Sequence, residues 1–197
     1  MSSSTPTMTQ EIWNIEIEPK ITQVLSGRTR LTFAEHSTAY AAVYERHVRA
    51  GYYDDPTSIY LEFYNLVSNF FDEHTKRIAG TPGNQNQEEL VSYYDAELDR
   101  FSSGVKIVNR MLDYLNRFHD ATSGRSREGT ENCLTVRNLA FKLWNENVFD
   151  FLAPRLEGTN KARIDDVRGG SCFTCGRSRF TRKFNFRLEP RSATARF

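Results

Sequence analysis

Cys172 and Cys175 form a CxxC pair within "SCFTCGRS". Two thiolates at that spacing can hold one side of a zinc ion, but a structural zinc site needs four ligands. No histidine follows Cys175, and the third cysteine, Cys133, falls in a different predicted segment. Half a metal site has little affinity by itself. A redox CxxC would need a strand–helix setting, which this Arg- and Gly/Ser-rich stretch does not supply. The pair is expected to be incidental, with no metal and no cofactor. His36, His47, His74 and His119 sit on separate predicted helices or their ends, none beside a Cys or Ser in a nucleophile motif. There is no phosphate-cradling glycine loop and no G-x-S-x-G. Asp95, Glu97 and Asp99 read as a solvated helix face. The residues therefore point away from an enzyme and toward a non-catalytic protein.

What remains is recognition. In the tail, Phe173, Phe180, Phe184 and Phe186 interleave with Arg177, Arg179, Arg182 and Arg187. Cations neutralise phosphates and rings stack on bases, so a single-stranded nucleic acid is the alternative partner. A lone "RGG" at 168–170 adds little, and an uncommitted basic terminus is the simpler reading. A second set lies in "AYAAVYERHV" and "NRMLDYLNRFHD". Tyr40, Val43, Tyr44, His47 and Val48 repeat at i, i+3, i+4, i+7 and i+8, one stripe of a helix. Arg110, Tyr114, Arg117 and Phe118 border a polar edge on a second helix. Tyr and Arg combine contact area with a polar end and dominate interface energetics. Aromatic residues at helical spacing equally well fill a core.

Several elements must position these residues. The chain has 197 residues, 39% of them hydrophobic and 26% charged, enough for one domain with a sizeable core. Residues 1–9 are Ser/Thr-rich and expected to be disordered. Trp13, Ile17, Ile21 and Val24 then keep helical spacing, with a strand at Ile15–Ile17 as the competing choice. The segment from Ala34 is a second helix, stopped by Gly51. Asp55 and Pro56 open a third as N-cap and first residue, with Ile59, Phe63, Leu66, Phe70 and Ile78 on its inner face and Gly80 at its end.

Glu88 to His119 is a long fourth helix, with a kink expected at Gly104. It is apolar around most of its circumference, so it should be the central one. Its narrow stripe of Lys106, Asn109, Arg110, Asp113, Asn116 and Arg117 should be the edge left open. The fifth helix starts near Asn132, with Leu134, Leu139, Leu143 and Phe149 on its core side, and Pro154 closes it. There is no strand pattern of any length, and the fold class is all-α.

Charge divides the chain further. From Arg155 to Phe197 eleven basic residues face four acidic ones, a balance of +7, so the preceding residues carry −6 against the whole chain's +1. Three cysteines are too few for a disulfide framework. The start, "MSSSTPTMTQ", lacks an apolar signal core, and no apolar run spans a membrane. A cytoplasmic or nuclear protein with no membrane association is expected.

Several of these pieces occur in a known order. "IWNIEIEPKITQVL", "STAYAAVYERHV", "SIYLEFYNLVSNFFDEHTKRI", "YYDAELDRFSSGVKIVNRMLDYLNRFHD" and "VRNLAFKLWNENVFDFLAPRL" together resemble the N-terminal domain of the cullins, the scaffolds of multisubunit ubiquitin ligases. The intact "YLNRF" carries the strongest part of the likeness. The resemblance covers about residues 11–156. It implies one five-helix repeat at 10–156, a helical-bundle or solenoid unit, followed by an unrelated, disordered basic tail at 157–197.

It also implies a partner: an adaptor of BTB/POZ-like fold, together with its substrate receptor, in ubiquitin-dependent protein catabolism. The matching positions are Tyr40, Tyr44 and Tyr114. Val43, His47, Arg110, Arg117 and Phe118 join them by neighbourhood on the same faces. "ERHVRAG" departs from the aromatic and small residues that many members carry after the second Tyr. Nothing resembles the family's C-terminal region, so no RING subunit is expected, and the chain would compete with a full-length member for its adaptor.

Overall fold

The computed structural model describes residues 6–27, 30–50, 55–83, 86–122 and 133–156. The chain divides into Met1–Leu156 and Glu157–Phe197. The second unit, with the CxxC pair and the Arg/Phe pattern, lies outside the described residues, as does Gly51.

The first helical segment is α1 (Met8–Ile12), one π-turn (Trp13–Ile17) and α2 (Glu18–Leu25). The Thr7 side chain accepts from the Gln10 N–H and starts α1 inside the stretch expected to be disordered, and Thr9 is already fully buried. The wide turn has a local cause. Pro19 lacks an N–H, and its ring crowds the carbonyl four residues back, that of Ile15, so a π-turn accommodates it where a strand was the competing choice. Trp13, Ile17, Ile21 and Val24 are all buried, as their spacing requires.

Helix α3 spans Phe33–Ala50 and α4 spans Pro56–Gly80. A reciprocal cap opens α3: Thr32 N–H and Oγ1 donate to the Glu35 carboxylate at 2.7 and 2.8 Å, and Thr32 Oγ1 accepts from Glu35 N–H at 3.2 Å. Asp55 caps α4 by accepting from Thr57 and Ser58 N–H, with Pro56 at the first position as expected. Ile59, Phe63 and Ile78 are buried as expected, but the middle of the inner face of α4 sits one residue further along. Val67 and Phe71 are buried where Leu66 and Phe70 were expected, and those two are half-buried.

The long fourth segment is two helices, α5 (Gln87–Met111) and α6 (Asp113–Thr122). The break falls at Leu112 (φ −99°, ψ 24°), not at Gly104, through which α5 runs without interruption. Helix α5 is central: α2, α3, α6, α7 and α8 all pack on it. The last segment is α7 (Val136–Trp144), a π-turn (Asn145–Phe149) and α8 (Asp150–Leu156), with Thr135 as cap and Pro154 inside α8 rather than closing it. Its buried side is Val136, Leu139, Ala140, Trp144, Val148, Phe149 and Leu152, while Leu134 and Leu143 are half-buried. Among the described residues there is no strand, and no helix is long and apolar enough to cross a membrane.

Candidate functional site

Helices α3 and α6 meet through rings. The Tyr114 ring lies edge-on to Tyr40 (6.2 Å between centroids), Tyr44 (5.3 Å) and His47 (5.3 Å). His47 also meets Phe118 at 4.6 Å, and Phe118 rests on Tyr60 of α4 at 4.9 Å. Such pairs are worth about 0.5–1.5 kcal/mol each beyond their buried area. Five of the eight site residues read from sequence (Tyr40, Tyr44, His47, Tyr114 and Phe118) are therefore one contiguous cluster built from two distant segments.

Exposure within the cluster is graded. Tyr44 is 45% exposed, and Val48 one turn on is 43% exposed. Tyr40, Tyr114 and Phe118 are half-buried. His47 is 9% exposed, beneath its neighbours. Burial pushes its imidazole below the ordinary range, against a weaker upward pull from the Asp55 carboxylate, so the ring is neutral near pH 7. Burial pushes the Tyr114 hydroxyl up, reinforced by Tyr44 and Tyr40.

The other three residues stand outside the ring contacts. Val43 is 1% exposed, so it offers no surface to a partner. On a helix it lies on the core side of the Tyr40–Tyr44 row. Arg117 is exposed but pairs with Asp113, Nε to Oδ2 at 2.7 Å. Arg110 is exposed in the last turn of α5 and, among the described residues, joins none of these ring contacts.

The polar edge is only partly an edge. Lys106, Arg110 and Arg117 are exposed, but Asn116 is buried and Asn109 half-buried. Asn116 Nδ2 donates to the Asn109 carbonyl and to Asn109 Oδ1, both at 3.1 Å. Asn116 Oδ1 accepts from Val136 N–H at 2.9 Å, and Asn109 Oδ1 accepts from Arg137 N–H at 3.2 Å. With Thr135 Oγ1 accepting from Asn138 N–H, the first three donors of α7 are satisfied. An Asn looks alike in sequence whether it is solvated or caps a distant helix.

Phe33 extends the exposed stripe of α3. It is 89% exposed at the first turn of α3, held there by the Thr32–Glu35 cap. Residues 33, 40, 44 and 48 follow one helical stripe. A helix read as starting at Ala34 leaves Phe33 outside it and hides its register with Tyr40 and Tyr44. Among the described residues no group of three or more His, Cys, Asp or Glu is arranged to hold a metal ion.

The family model described as the cullin alpha solenoid domain matches residues 13–183. The match continues past Leu156, into residues read from sequence as an unrelated tail. Cullin-1 of Dictyostelium discoideum is 25% identical over 109 residues, 55% of this chain and 14% of that protein. Cullin-1 of Caenorhabditis elegans is 26% identical over 110 residues, again 14% of its length. The aligned part of the chain thus spans a small fraction of these relatives.

Proposed function

The chain belongs to the cullin family, and from that premise we propose that it acts as a non-catalytic scaffold of a ubiquitin ligase, docking a BTB/POZ-fold adaptor on the α3–α6 ring cluster. The observation that carries this reading is the meeting of Tyr40 and Tyr44 with Tyr114 at 6.2 and 5.3 Å, with Tyr44 left 45% exposed.

An aromatic held by ring contacts on one side and open on the other has little conformational freedom left to lose on binding, which favours an interface anchor. Neutral His47, in contact with Tyr114 and Phe118, forms the floor. The charged Arg117–Asp113 pair stands beside Tyr114 in sequence and suits a polar rim.

The test is affinity for a panel of purified BTB/POZ-fold adaptors, with circular dichroism as the check on folding. Tyr44→Ala and Tyr114→Ala should keep their helicity and weaken capture by about 30-fold, equivalent to ~2 kcal/mol for a buried anchor. An adaptor that binds both variants as tightly as the parent chain would remove the cluster from the interface. Binding by no adaptor in the panel would end the scaffold reading.

A further inference from the structure

Tyr114 and Phe118, which meet α3, lie just beyond the bend of the fourth segment at Leu112. A continuous helix would satisfy the Asn109 carbonyl with the N–H four residues on, that of Asp113. The bend takes that donor away, and the Asn116 side-chain amide fills the place at 3.1 Å. Its other bond to Asn109 Oδ1 and its acceptance of the Val136 N–H tie α6 to both α5 and α7. Across the break, Leu115 N–H and Asn116 N–H both return to the Leu112 carbonyl, at 3.0 and 3.4 Å. Asn116 lies about 160–200° around α6 from Tyr114 and Phe118, at 100° per residue. Rotation of α6 about its axis would break the asparagine bonds and carry both rings off α3 together.

We propose that Asn116, with Asn109, is the positioning residue of the docking cluster: it sets the bend at Leu112 and the rotation of α6 that turn Tyr114 and Phe118 onto Tyr44 and His47. The role rests on the docking reading for its purpose but not for its geometry. A cap serving α7 alone needs acceptors for Val136 and Arg137. It does not need the donated bond back to the Asn109 carbonyl, which spans the bend and acts only on α5 and α6.

The experiment uses the full 197-residue chain and Asn116→Ala. Two quantities are measured well below the melting temperature. The first is the set of nuclear Overhauser contacts from the Tyr114 ring to the Tyr44 and His47 rings, with Leu25–Gly104 contacts as the internal control for the fold. The second is affinity for a purified BTB/POZ-fold adaptor. The expected result is loss or strong weakening of the ring contacts with the control intact, and at least tenfold weaker binding.

Ring contacts at parental strength would overturn the proposal, even if the variant melts at a lower temperature, because a merely structural cap behaves that way. If Asn116→Ala loses its fold, Asn116→Asp, which keeps an acceptor for the Val136 N–H but has no donor for the Asn109 carbonyl, decides by the same ring contacts. If the parent chain binds no adaptor while the rings still move, the docking reading fails and the positioning role stands.

Discussion

Gly104 on α5 and Leu25 at the end of α2 approach so closely that a Cβ on Gly104 would lie 2.6 Å from Leu25 Cδ2 and 3.4 Å from Leu25 Cα. Leu25 is 2% exposed and Gly104 is buried, so the methyl has little space in which to retreat. Replacing a helical glycine by alanine is worth about 1 kcal/mol of helix propensity, while overpacking a tight core costs about 1–3 kcal/mol. The crowding wins. Gly104→Ala is expected to destabilise the chain by ~1–2 kcal/mol in urea unfolding. Leu25→Ala costs ~2–5 kcal/mol by itself, and in its background Gly104→Ala should turn neutral or stabilising. A Gly104→Ala chain more stable than the parent would contradict the close approach.

That contact shows where the sequence was legible and where it was not. Trp13, Ile17, Ile21 and Val24 on one segment, and the Asp55–Pro56 start of another, depend on residues within a turn or two of each other, and all stand as read. Gly104 was recognised as unusual, but its partner Leu25 is far away in the chain. A glycine that kinks a helix and one that admits a neighbour look the same from inside the helix. Asn116 was read as solvated for the same reason, since its partner Val136 belongs to another segment. The cluster positions were legible through spacing and family resemblance; the depth of each residue was not. Val43 and Tyr44 are adjacent in sequence, yet one is 1% and the other 45% exposed.

His74 is expected to make stability depend on pH. Its ring stacks on Phe70 (6.0 Å) and Phe101 (6.3 Å), and Arg77 Nη2 lies 2.7 Å from its Nδ1. Arginine can only donate, so Nδ1 accepts and the ring is neutral. Burial, and then the Arg77 charge, push its pKa down to about 4 from an ordinary 6.5. The unfolded chain therefore binds the proton more readily than the folded one. The contribution is complete above pH 6.5 and is lost as pH falls from there toward 4. Solvent screening at this half-buried ring holds the loss to roughly 2 kcal/mol. His74→Phe should flatten the stability profile between pH 6.5 and 4, measured by urea unfolding at each pH. An unchanged profile would remove His74 as its source.

Arg117 separates stability from recognition. Its pair with Asp113 is i to i+4 on α6, with side-chain exposures of 71% and 39%. Exposed pairs of this kind contribute about 0–1 kcal/mol. Arg117→Ala should therefore shift the melting temperature by no more than a few degrees, about 0.5 kcal/mol. If the cluster docks an adaptor with a polar rim, the same change should mainly slow association and reduce its salt dependence. Stopped-flow association at two ionic strengths measures this. A variant with unchanged on-rates at both would place Arg117 outside the rim.

Trp144 on α7 joins α7 to α5. It is fully buried, its ring lies 4.7 Å from Phe101 and 5.9 Å from Tyr94, and its Nε1 donates to Tyr94 Oη at 3.4 Å. Packing and the hydrogen bond are separable. Trp144→Ala deletes the ring contacts and leaves a cavity, an expected loss of ~3–5 kcal/mol. The bond is long, so it should count for much less. Tyr94→Phe removes the acceptor and strands the indole N–H, costing about 1 kcal/mol. In a Trp144→Phe background the donor is already gone, and Tyr94→Phe should then cost less. The coupling energy expected from the double-mutant cycle is about 0.5 kcal/mol, so the ring stacking rather than the hydrogen bond holds α7 against α5. A coupling of 2 kcal/mol or more would reverse that order.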